Sequence, residues 1–161
     1  MSLRLPPSLP DRLFHLLHGE HLQENLNKVA LLVTVDEKGW PYVAILSYLE
    51  TIAPDRGNLR LAPWNNSTTT ANLRRNGKAT LVVIEEEMAY YIQGTATELA
   101  SELEGFADMA KINVRIESIL EDKALDYEGS ARITAGIRFE SPVLDAASIE
   151  RGQQVLAALC R

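Results

Sequence analysis

The chain has 161 residues, 46% of them hydrophobic and 24% charged, with a formal net charge of −6. This is the profile of one globular domain able to bury a single core, and its acidity argues against non-specific binding to nucleic acid or to an anionic membrane. A lone cysteine, Cys160, excludes an internal disulfide and disfavours a cysteine-ligated metal. No run has the length of a signal peptide or a membrane span, so a cytoplasmic protein is expected.

In chain order, Ser8-Leu9-Pro10-Asp11 reads as a helix start, with Ser8 as cap and Pro10 early in the first turn. Leu13, Leu16 and Leu17 share a helical face, and Gly19 is a stop signal. His15, His18 and His21 recur at a spacing that can present two imidazoles to one metal. Gly19 is expected to break the helix before His21, and no metal is expected.

Val29–Val35 is an apolar, β-branched run of strand length. Asp36-Glu37-Lys38-Gly39 is a turn that uses Gly39 for a positive φ. Trp40–Leu49 is the return strand of a hairpin. It is apolar on both faces, with Tyr42, Leu46 and Tyr48 on one and Val43, Ile45 and Leu49 on the other, and so needs cover on both sides. Thr51–Asn58 reads as a loop, and Asn58–Ala62 as a short strand.

The stretch Leu61–Asn76 then turns through Pro63-Trp64-Asn65-Asn66 and meets four hydroxyl residues, Ser67 to Thr70, before a short helix over Ala71–Asn76. A helix start offers unpaired N–H groups and the positive end of the macrodipole, so it can hold an anion. Ser67 and Thr70 are equally ordinary capping residues.

Lys78–Glu85 and Met88–Leu99 form a second hairpin, with Glu85-Glu86-Glu87 as a solvated tip. Tyr90, Ile92, Gly94 and Ala96 fall on one face, and Gly94 suggests a bulge. Ser101–Glu121 reads as a helix, Arg132–Glu140 as a last strand, and 144–159 as a C-terminal helix. The expected fold is mainly β with flanking helices (α+β). It is a six-stranded antiparallel barrel in one domain, 1–161, with helices at 101–121 and 144–159.

Several pieces in this order resemble the pyridoxamine 5′-phosphate oxidase-like, FMN-binding split-barrel family. Val33–Ser47, with its D-x-x-G turn and W-P-Y-V-A, resembles the family's opening hairpin. Ser67 followed by Asn72-Leu73-Arg74-Arg75-Asn76-Gly77 is similar to its helix motif, and Lys78–Val83 and Tyr91–Thr97 resemble the next two strands. The resemblance covers roughly Lys28 to Glu98. It implies a split barrel and a homodimer that holds FMN at the subunit interface. By position, Leu46, Ser47 and Tyr48 would edge the isoalloxazine ring, and Trp64 and Asn65 would lie beside ring or ribityl. Ser67, Thr68 and Thr69 would meet the phosphate, with Gln93 reaching in from the partner subunit.

Thr68 and Thr69 stand where many members carry Arg and Lys, and the Arg/His-rich C-terminal segment that holds pyridoxal phosphate is not evident. The function implied is a flavin-dependent oxidoreductase of unknown substrate. The alternative is a non-enzymatic binder of flavin or of another cofactor, F420 or haem. No side chain reads as an indispensable acid or base, and Arg74 and Arg75 are explained by the negative end of their helix.

Overall fold

A computed structural model describes residues 2–122, 132–140 and 145–161. In chain order the elements are β1 (Ser2–Leu5), α1 (Asp11–Leu17), α2 (Leu22–Asn25), β2 (Val29–Val35), β3 (Pro41–Ser47), a 3-10 turn (Tyr48–Glu50), β4 (Thr51–Asp55), β5 (Asn58–Leu61), α3 (Thr68–Asn76), β6 (Lys78–Glu85), β7 (Met88–Ala100), β8 (Lys111–Asp122) and α4 (Ala146–Cys160). The eight strands form one antiparallel sheet ordered β3-β2-β6-β7-β8-β5-β4, with β1 also paired to β8. It curls into a half-barrel with helices on its flanks, the split-barrel α+β arrangement that the family resemblance implies, with eight strands where six were expected.

The β2–β3 hairpin runs in register from Val29↔Ser47 to Val35↔Pro41. Its turn is fixed by Asp36, whose carboxylate accepts the N–H groups of Lys38 and Trp40 at 2.8 Å each, and by Gly39 at φ 85°. One core fills the barrel with Leu32, Leu46, Leu59, Leu81, Ile92, Ile112 and Ile119. A second, under α4, joins Ile52, Phe106 and Met109 to Val155, Leu156 and Leu159.

Several expectations need correction. Residues 101–121 are not a helix: from Lys111 the chain is β8. Ile112, Val114, Ile116 and Ser118 are buried, and Arg115 and Glu117 between them are exposed. This period of two prevails over the helical stripe because β7 offers a nearly full-length partner, Ala89↔Asp122 through Ala100↔Lys111. Residues 132–140 do not form a strand either. Their backbone meets the start of β2 only through an isolated bridge, Lys28↔Arg138, and bonds such as Phe139 N–H to the Asn27 carbonyl. Further along, both edges of β2 are occupied by β3 and β6.

Thr51–Asp55 is a strand rather than a loop. Pro54 is tolerated there because β4 is an edge strand with a register irregularity at that point. The terminal segment Ser2–Leu5 is a further strand, paired with the far end of β8. Pro10, not Ser8, caps α1. The C-terminal helix lies where expected, capped by Asp145, whose carboxylate accepts the Ser148 N–H; Leu144, its expected first residue, lies outside the described residues.

Gly19 does end α1, but its φ of 92° turns the chain back, so the His15 and His21 rings come 3.9 Å apart instead of diverging.

Candidate cofactor-binding site

The stretch after β5 builds the entrance to α3. Ser67 is the N-cap, and its hydroxyl accepts the Thr70 N–H at 3.1 Å. The Thr70 hydroxyl donates to the Trp64 carbonyl at 2.8 Å, tying the turn to the first helical turn. Two of the four hydroxyls are thus used in capping. Thr69 is buried and Thr68 is exposed. The N–H groups of Thr68 and Thr69 are the donors that the helix leaves open at this end, as helix starts do. Gly77, in the left-handed region, closes the other end.

The first turn of α3, Thr68 to Thr70, contains no basic residue. Arg74 and Arg75 lie in the last turn and are not held by the helix's own carbonyl end, as had been expected. Arg74 binds Glu98, Nε to Oε1 at 3.0 Å, and donates to Asn65 Oδ1 at 2.8 Å. Arg75 donates to the Val35 carbonyl and to Asn72 Oδ1.

Asn65 also donates to the carbonyls of Ser101 and Ala107, so its amide is engaged in tying the 101–108 loop to α3. Trp64 projects into solvent with half of its surface exposed. Leu46 and Tyr48 point inward and are buried. Tyr48 donates to Glu85 Oε1 at 3.4 Å, and burial together with the Glu85 charge pushes its phenol far above its ordinary value. At Leu46 and Tyr48 only the backbone is available to a ligand outside the barrel.

Ser47 and Trp64 do come together. With Leu49, Glu50, Met109 and Arg151 they line a cleft of about 160 Å³ beneath α4. Ser47 and Glu50 form a capping box for the 3-10 turn, the Ser47 N–H donating to Glu50 Oε2 at 3.1 Å. Burial raises the Glu50 carboxyl above its usual range, partly offset by that bond and by Arg151. The sequence reading passed over Glu50, although the S-x-x-E spacing of Ser47-Tyr48-Leu49-Glu50 announces the box.

Gln93 stands elsewhere. It is exposed on the outer face of β7, in a second cleft of about 320 Å³ with Thr34, Lys78, Thr80, Gly94 and Glu117. Thr80 is its direct cross-strand partner, and Lys78 lies two residues away on the same face. Alternation along Lys78–Glu85 would have found both. Within one chain, then, Ser47 and Trp64 share a cleft while Gln93 faces another.

Hydroxyls do stand on carboxylates, Thr95 on Glu117 at 2.6 Å and Tyr90 on Glu121 at 3.1 Å, but neither pair lines the cleft of Ser47 and Trp64. What these clefts offer is an exposed indole, open backbone donors at a helix start, and polar side chains on a sheet face. That is a set suited to binding a flat, phosphate-bearing group rather than to side-chain catalysis.

A curled antiparallel sheet with a short helix inserted between its fifth and sixth strands defines a split-barrel protein. The family model described as pyridoxamine 5′-phosphate oxidase matches residues 19–136, and the chain belongs to that family. It is 36% identical over 132 residues to the uncharacterized protein YclD of Bacillus subtilis (strain 168), covering 82% of this chain and 83% of that one. In structure it is similar to HupZ of Group A Streptococcus, with TM-score 0.56 and 17% identity over 72% of this chain and 95% of that one. It is also similar to an F420 reductase, with TM-score 0.51 and 18% identity over 62% of this chain and 96% of that one.

Proposed function

We propose that this protein is an FMN-binding oxidoreductase that works as a cytoplasmic homodimer. The observation that carries the reading is the entrance to α3. Exposed Trp64, exposed Thr68 and the open N–H groups of Thr68 and Thr69 lie within one turn, in a chain of this family. The residues fit the group: the indole suits a ring or ribityl chain, and the helix start suits a phosphate. The first turn has no basic residue of its own, so the macrodipole and hydrogen bonds carry much of the hold on a phosphate.

The outer side of β3 supports the dimer. Val43 and Ile45 are 55% and 68% exposed, an apolar strip that a second copy would cover. Gln93 and Thr80 of one subunit would then face a cofactor held by the other. Bound flavin would supply the hydride or electron acceptor. The chain's part is to orient the ring, exclude water and leave one face open to a small substrate.

The test is the absorption spectrum of the purified protein, alone and with added FMN. A flavin spectrum that bleaches with a reduced nicotinamide is the expected outcome, and protein that takes up no FMN overturns the reading. Thr68→Arg restores a cation at the helix start and is expected to tighten FMN binding on the order of tenfold, a charge-assisted bond contributing about 1.5–3 kcal/mol. Unchanged affinity in both Thr68→Arg and Ser67→Ala refutes the phosphate assignment.

The missing cations also support a second reading, a protein that binds F420, haem or flavin without turnover. The same spectra separate these, since a deazaflavin or a haem absorbs differently from FMN.

A further inference from the structure

The α1–α2 corner gathers side chains that the cofactor clefts do not use. His15 lies in the last turn of α1, His18 is its C-cap, and His21 is the N-cap of α2. With the chain reversed at Gly19, one ring nitrogen of each of the three lies within 4.8 Å of the others. The His18 ring is 5.8 Å from that of His15 and 5.6 Å from that of His21, centroid to centroid.

Two features set this cluster apart from ordinary surface histidines. Among the described residues, His18 Nδ1 is buried with no hydrogen-bond partner. A buried polar atom left so costs about 1–3 kcal/mol, unless something binds it. Carboxylates also stand behind two of the rings. Glu20 Oε2 is 3.2 Å from His18 Nε2, and Glu24 Oε1 is 3.8 Å from His21 Nδ1. A carboxylate on one imidazole nitrogen orients the ring and raises the basicity of the other, as around metal-binding histidines.

We propose that His15, His18 and His21 bind a first-row divalent ion of the zinc type. Three imidazole nitrogens suit zinc, cobalt or nickel, and exclude calcium and magnesium, which take oxygen ligands. Metal–nitrogen bonds of about 2.0–2.1 Å at tetrahedral angles set ligand nitrogens about 3.4 Å apart, so side-chain rotation closes the present spacing. His15 is exposed and His21 half-buried, so both have room to turn. The fourth position opens toward an adjoining groove of about 510 Å³, which His18 and His21 line together with Gln23, Ile52, Leu156 and Cys160. The ion would staple α1 to α2 and leave one coordination position for water or a small anionic ligand.

The experiment uses the full chain without an affinity tag, stripped with a chelator and titrated with Co2+. One ion per chain is expected, with the visible absorption of tetrahedral Co2+, bleached when Zn2+ displaces it, and with a raised Tm in the presence of either metal. His15→Asn and His21→Asn should each weaken binding on the order of 100-fold, and Glu20→Gln about 10–100-fold, with the far-ultraviolet circular dichroism unchanged. His15 is exposed, so its variant keeps the test valid if His18→Asn fails to fold. No Co2+ retained by the wild type on equilibrium dialysis, or wild-type affinity in both the His15 and His21 variants, overturns the proposal.

Discussion

Glu85 shows how a single residue escapes a composition-based reading. In a Glu85-Glu86-Glu87 run it reads as part of a solvated tip, and Glu86 and Glu87 are exposed as expected. Glu85, however, is the last residue of β6, and its side chain turns inward to Lys28 Nζ at 3.3 Å, the two only 13% and 14% exposed. Tyr48 donates to the same carboxylate. Glu85→Leu leaves a shielded ammonium without a partner and should destabilise by about 3 kcal/mol, whereas Lys28→Met with Glu85→Leu should recover most of that. Urea unfolding of the three proteins checks it.

Tyr90 gives a pH dependence. Burial and the neighbouring Glu121, which accepts its hydroxyl at 3.1 Å, push the phenol up to about 12. A raised phenol contributes stability that is intact below its ordinary value of about 10 and is lost as pH rises through about 12. In Tyr90→Phe that part of the alkaline loss should vanish, which stability measured at several alkaline pH values will show.

Among the elements, β7 and α3 were the most legible. The faces of β7 and the bulge at Gly94 follow the reading from alternation, and the register indeed shifts between Gln93 and Gly94. A Cβ at Gly94 would stand 2.4 Å from the Arg115 carbonyl oxygen of β8 and 2.7 Å from Val114 Cγ1. Because one of these contacts is backbone, Gly94→Ala should destabilise by about 1–3 kcal/mol, measurable as a lower urea midpoint at unchanged m-value. In α3 the Ser67 cap implies that Ser67→Ala costs about 1 kcal/mol with or without cofactor, a loss that a purely ligand-binding role would not produce. β8 was illegible for a definite reason. Its apolar residues also satisfy a helical stripe, and only pairing with β7, which directly precedes it, and with β5 and β1, which are distant in sequence, selects the strand.

At the scale of the molecule, the sheet ends at β3 on one side and β4 on the other, and β3 carries the apolar strip. In the proposed dimer this strip is the interface, so Ile45→Asp should yield monomers in sedimentation and lose FMN affinity, while the β2–β3 register is preserved. A variant that stays dimeric would place the subunit contact elsewhere. The site reading was legible only in part for a related reason. The entrance to α3 is a local motif of hydroxyls, an indole and a helix start, whereas the clefts holding Glu50, Arg151 and Thr80 are assembled from elements far apart in the chain.

What the sequence determined by itself was local: the hairpins, their turns, the bulge, the cap of α3, the terminal helix and the family motif. Each of these depends on side-chain period, on φ at one residue, or on a hydrogen bond within a few residues. Only the tertiary structure decided that β8 is a strand, that Glu85 is inside, and that Asn65 ties a loop rather than standing open beside the indole. It alone decided that His21 returns to His15 and His18. Those outcomes depend on which partner is available across a long sequence separation, and on one positive φ whose direction no spacing rule encodes.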